Sequence, residues 1–161
     1  MSMADALNKA GYAKTGAKVE KDGARQHQRN DPPTNKPKEP PAIQFRSGEW
    51  LRREILTIDA LEWANALRGV SKTQLRNFYN EVKSLQARIE TGGFEKNSAL
   101  VGMLKAKVAY AFARADSKSK DGFAHLKRMI ESCVELSDSE QAFNDFALFF
   151  EAVLGFFKGE R

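Results

Sequence analysis

The chain is 161 residues long, with 26 basic and 21 acidic side chains and a formal net charge of +5. That is room for one domain of ordinary size with some chain to spare. The single cysteine, Cys133, excludes an internal disulfide framework and a cysteine-rich zinc site, and no apolar run approaches the length of a membrane span.

The first twenty residues scatter Lys9, Lys14 and Lys18 through the segment and lack the continuous apolar stretch of a signal peptide. A soluble, cytoplasmic protein is therefore expected. All five prolines fall between Pro32 and Pro41, and the chain divides there. Residues 1–44 carry a net charge of +3, and their only aliphatic side chains larger than alanine, methionine aside, are Leu7, Val19 and Ile43. Such a segment cannot bury enough apolar area to offset the entropy of ordering it. It reads as a flexible, basic, proline-rich arm, serving either for solubility alone or as a tether that orders against RNA or a neighbouring subunit.

Residues 45–161 read as an all-α domain: a single compact bundle of five to six helices. From Ser47 onward there is no proline, and apolar residues recur at spacings of three and four. Two short helices are expected over 49–58 and 60–67, the second capped by Asp59 and followed by Gly69. Ser71 and Gln74 form a capping box opening a long helix that runs to about Glu90, where Gly92 and Gly93 stop it. A further helix begins near Asn97 or Ser98 and reaches about Asp116, and another spans Asp121 to Leu136. The last is expected to start at a capping box of Ser137 and Glu140 and to run to Lys158. Gly102 and Gly155 lie inside helical patterns, where each costs about 1 kcal/mol against alanine, so close helix packing is expected there.

The helical wheels identify the core. Leu75, Phe78, Tyr79, Val82, Leu85 and Ile89 share one face, and so do Phe143, Phe146, Ala147, Phe150, Val153, Leu154 and Phe157. Phe149 and Phe156 widen the second arc to about half the circumference. Either this is the central helix of the bundle, or Phe149 and Phe156 reach the surface and dock another subunit.

No chemistry-bearing motif stands out: there is no phosphate-cradling glycine loop, no G-x-S-x-G and no H-E-x-x-H. His125 and Cys133, eight apart on one helix, are separated by about 80° and 12 Å, too far for a nucleophile–base pair. No catalytic residue, metal ligand or cofactor is expected.

The charge is unevenly spread. Residues 45–128 carry a net +7, and residues 129–161 carry −5. Lys72, Arg76 and Lys83 fall within about 40° on one wheel, opposite its apolar face. Lys107, Arg114 and Lys118 fall within a similar arc on the next, with Lys105 and Lys120 flanking them. Free N–H groups at the Ser71 helix start add a site for an anion. Two such stripes suit a phosphate backbone read without base sequence, though an acidic protein surface would satisfy them equally.

At these residues the chain resembles the small subunit of type III-A CRISPR (Csm-type) effector complexes. The match rests on three ordered segments within about residues 47–158: Ser71-Lys72-Thr73-Gln74-Leu75-Arg76-Asn77-Phe78-Tyr79, then Leu104-Lys105-Ala106-Lys107-Val108-Ala109-Tyr110 with Arg114, then Phe143, Phe146 and Phe150-Glu151-Ala152-Val153-Leu154-Gly155-Phe156. The resemblance implies a non-catalytic helical protein whose copies stack along the effector beside the backbone subunits. It would contact the phosphates of target RNA paired to guide RNA, while target cleavage belongs to the backbone subunits and DNA cleavage to the large subunit. By motif position Lys72, Arg76, Lys105, Lys107 and Arg114 are the implied RNA contacts. Lys83, Lys118 and Lys120 rest on the wheels alone. The implied partners are target and guide RNA, the other effector subunits and further copies of the chain, with no membrane. The competing reading is a helical adaptor that binds protein through the Phe149 and Phe156 face.

Overall fold

The computed structural model describes residues 38–159. Most of the expected arm, residues 1–37, lies outside the described residues. The elements in order are β1 (Arg46–Ser47), β2 (Trp50–Leu51), a 3-10 turn (Glu54–Leu56), α1 (Ile58–Ala66), α2 (Lys72–Gly92), α3 (Phe94–Arg114), α4 (Lys120–Leu136) and α5 (Glu140–Phe156). The body is all-α, as expected, with one correction at its start. Residues 46–56, expected as a helix from Glu49, instead form an antiparallel hairpin with Ser47 opposite Trp50, followed by the 3-10 turn. Gly48 takes a positive φ of 62° in the two-residue turn, a conformation such turns demand and glycine supplies cheaply. Arg46 braces the hairpin: its Nη2 donates to Asp145 Oδ1 of α5 at 2.9 Å while Nε donates to the other carboxylate oxygen.

Before the hairpin, the end of the proline-rich stretch lies along α1 and α4. Proline carbonyls have no ladder to join here, and side chains satisfy them. Trp63 Nε1 donates to the Pro41 carbonyl at 3.1 Å, and Arg128 Nη2 donates to that of Pro40 at 3.0 Å. The Arg128 guanidinium lies over the Trp63 ring, 5.1 Å from its centroid.

Capping follows the expected chemistry in α2 and departs from it elsewhere. The Gln74 N–H donates to Ser71 Oγ at 3.2 Å and the Ser71 N–H to Gln74 Oε1 at 3.1 Å, completing the capping box. Gly93, at φ 85°, turns the chain directly into α3, three or four residues before the expected start. Asn97 ties this corner rather than opening a helix, its amide donating to the carbonyls of Arg88 and Gly93. Asp59 is not a cap: α1 begins one residue before it, and its carboxylate is buried in the first turn, 3.5 Å from Arg52. Ser139, not Ser137, caps α5 by accepting the Ala142 N–H. Ser137 is buried and donates to the Cys133 carbonyl at the end of α4.

The core forms around α5, which packs on α1, α2, α4 and the 3-10 turn. Phe143, Phe146, Phe149 and Phe150 are all fully buried. Phe146 stacks parallel to Phe150 at 6.1 Å, and Tyr79 of α2 meets Phe150 edge-on at 5.9 Å. This settles the wide aromatic arc in favour of a central helix. Phe149 does not reach the surface, because Phe45, just before β1, closes over it at 6.1 Å. Phe156, in the last turn, stays 40% exposed.

Gly102 and Gly155 have open space where a Cβ would stand, so neither marks a close helix contact. The close approach is at Gly122 instead. A Cβ there would overlap the Arg68 carbonyl oxygen and lie 3.2 Å from that of Leu67. The α1–α2 loop thus rests directly on the first turn of α4.

Candidate nucleic-acid interface

Helices α2 and α3 run antiparallel through the Gly92–Gly93 corner and pack against each other. Their solvent side holds an open groove of about 420 Å³ beside the start of α2 and the end of α3. Phe78, Ala111 and Phe123 give it apolar walls, and Gln74, Asn77, Arg114, Asp116 and Ser119 supply polar groups. A residue spaced four before Arg114 completes it. Arg114 Nη1 donates to Tyr110 Oη at 2.6 Å, and the guanidinium carbon lies 5.5 Å from the ring centroid. Tyr110 is nonetheless 63% exposed. Hydrogen bonds from the Ser119 hydroxyl and N–H hold the Asp116 carboxyl below its usual range, so the loop closing the groove is anchored by an ionised group.

The expected basic residues separate into free and engaged groups. Lys72 and Arg76 are exposed in the first turns of α2 and enter no ion pair among the described residues. Arg114 is exposed and, among the described residues, is held only by Tyr110. Lys107 bridges the two helices, its ammonium 2.6 Å from Glu81 of α2, and Lys105 reaches Glu135 of α4 at 3.0 Å. Lys83 donates to Gln86, which in turn donates to Asn144 of α5. Lys118 is not on the α3 stripe at all. The helix ends at Arg114, and Lys118 stands in the α3–α4 connection, where its carbonyl abuts Gly69. Lys120 donates to the Phe112 carbonyl at 2.7 Å and lies over that ring at 4.1 Å, closing the end of α3. Of the expected cations, Lys72, Arg76, Arg114 and Lys118 are exposed without an ion pair among the described residues, and of these Arg114 lines the groove. Lys105, Lys107 and Lys120 are tied to the fold and Lys83 to Gln86.

Tyr110 and Asn77 belong to this groove although the wheels, scored for charge, did not single them out. The legible signal was the i, i+4 spacing of Tyr110 and Arg114 beside the basic stripe. On the aromatic face assigned to subunit contact, Phe149 is unavailable and Phe156 remains.

No group of three or more His, Cys, Asp or Glu side chains among the described residues could hold a metal ion. Cys133 is fully buried, and burial pushes its thiol well up, so it stays protonated and weakly nucleophilic. Thiol reagents are expected to label Cys133 only on unfolding, which a comparison of labelling rates in buffer and in denaturant would check. Among the described residues no helix is long and apolar enough to cross a membrane.

The family model described as Csm2 Type III-A matches residues 52–160, a span that contains all five α-helices. No curated protein and no solved structure matches the chain.

Proposed function

The chain belongs to the Csm2 Type III-A family, the small subunit of a type III-A CRISPR effector complex, and from that premise we propose that it is a non-catalytic subunit lining the path of the target RNA. It grips the RNA backbone through phosphate contacts, while pairing with the guide supplies sequence selectivity. The observation that carries this reading is that Lys72, Arg76 and Arg114 are exposed and enter no ion pair among the described residues, Arg114 lining the groove and Lys72 and Arg76 standing on the first turns of α2. Fixed cations without a protein counter-charge release condensed counterions when they meet a polyanion, which is the main source of backbone affinity. Copies stacked along the effector would present these cations repeatedly. The acidic C-terminal region would face the basic surface of the next copy.

Lys72 and Arg76 make the cleaner test. Charge reversal at Lys107 would set a new carboxylate beside Glu81 and disturb the α2–α3 contact. A glutamate at position 72, by contrast, suits the positive end of the α2 dipole. Lys72→Glu with Arg76→Glu is expected to weaken target-RNA capture by the assembled complex about tenfold or more, and to flatten its salt dependence by about one unit of slope per charge removed. Unchanged capture across a salt titration would refute the basic face of α2. RNA crosslinks confined to the other subunits would favour the adaptor reading, which now rests on Phe156 because Phe149 is buried.

A further inference from the structure

We infer that the groove between α2 and α3 takes an unpaired nucleobase of the bound RNA, stacked on Tyr110, so that this subunit holds a base as well as phosphates. The site rests on the RNA-path reading and adds a ligand that charge alone does not imply. An exposed tyrosine held by an arginine is an unusual use of surface. Its ring stays largely in water although Arg114 beside it would suffice for phosphate. Here the ring is also fixed. Arg114 covers it at 5.5 Å and donates to its hydroxyl at 2.6 Å, so little conformational freedom is left to lose on binding.

The surroundings match a base in other respects. The groove's volume of about 420 Å³ lies in the range of small-molecule sites. Phe78, Ala111 and Phe123 provide apolar walls for a flat ring. Asn77, exposed on α2, carries an amide donor and a carbonyl acceptor, the pair that base edges use. Ser119 also lines the groove, its hydroxyl hydrogen given to Asp116 and its oxygen left to accept. Arg114 has further N–H donors free for the phosphate adjoining the stacked base. Aromatic stacking beside an arginine is how proteins hold single-stranded nucleic acid without reading its sequence. A base already paired to the guide has its faces covered and cannot enter. The ligand is therefore a base unpaired or displaced at this point of the path.

The test uses the assembled complex and target RNA carrying 5-iodouridine at successive positions, with crosslinked peptides mapped by mass spectrometry. Crosslinks at Tyr110 from a subset of positions are expected. Tyr110→Ala should weaken capture by about 5- to 100-fold with the salt slope unchanged, because stacking displaces no counterions. Tyr110→Phe should stay within about threefold of the parent, since the ring face remains. Replacing the crosslinking nucleotide with an abasic one should cost the same factor and make Tyr110→Ala silent. Crosslinks elsewhere, a Tyr110→Ala effect that persists on abasic RNA, or a photoreactive group at position 110 that captures a protein subunit would each overturn the base site. The phosphate reading is tested separately: it fails if Lys72→Glu with Arg76→Glu leaves capture unchanged or if RNA crosslinks are confined to the other subunits.

Discussion

Phe149→Ala is expected to lower the unfolding free energy of the isolated protein by about 3–5 kcal/mol. The ring is fully buried on the central helix, with Phe45 closing over it at 6.1 Å. Truncation removes that contact and leaves a cavity that the surrounding rings and the braced hairpin cannot collapse to fill. Domains of this size have about 5–15 kcal/mol in total, so the loss takes a large share of it. The thermal midpoint should fall by about 10–20 °C. Phe156→Ala is the matched control: with its side chain 40% exposed, it should cost about 1 kcal/mol or less. If Phe149 served subunit docking, the order would reverse in a revealing way. The isolated protein would melt as before and only assembly would suffer. A melt of each variant without partners decides it.

What could be read from the sequence follows from which interactions are local. The α2 capping box was legible because Ser71 and Gln74 are three residues apart and satisfy each other. The core faces of α2 and α5 were legible because burial imposes the helical period on the residue pattern. Long-range partners were not. The hairpin over 46–51 is braced by Asp145, nearly a hundred residues away, and its own few residues carry no alternation long enough to signal a strand. The burial of Phe149 depends on Phe45, more than a hundred residues away in the irregular segment just before β1. The basic stripes show the same limit. A wheel gives the direction of a side chain but not what stands opposite, and only the packing of α3 on α2 and α4 puts Glu81 and Glu135 in reach of Lys107 and Lys105. Lys118 failed for a simpler reason: a wheel extrapolated past Arg114 describes a helix that has already ended.

The glycines yield the second large effect, and it reaches the groove. Gly122→Ala would gain about 1 kcal/mol of helix propensity, and at an open helical position that gain would show as added stability. At Gly122 the new methyl group meets the Arg68 carbonyl oxygen head-on and stands 3.2 Å from that of Leu67. Both are backbone atoms, so no rotamer change relieves the overlap. The loop cannot easily retreat either, because Gly69, at φ 92°, is already pressed against the α3–α4 connection, with the position of a Cβ only 3.0 Å from the Lys118 carbonyl oxygen. The first turn of α4 must move instead. The expected net loss is about 2–3 kcal/mol, in the range of overpacked cores. Ser119 and Phe123 flank this turn and line the groove beside Tyr110. The variant should therefore bind target RNA less well even at temperatures where it remains fully folded. Gly102→Ala on α3, where nothing lies within 4 Å of the added carbon, should be neutral or more stable by up to about 1 kcal/mol. Equal melting temperatures for the two variants would refute the close approach of the α1–α2 loop to α4. Unequal melting with identical RNA capture below both transitions would detach the first turn of α4 from the binding groove.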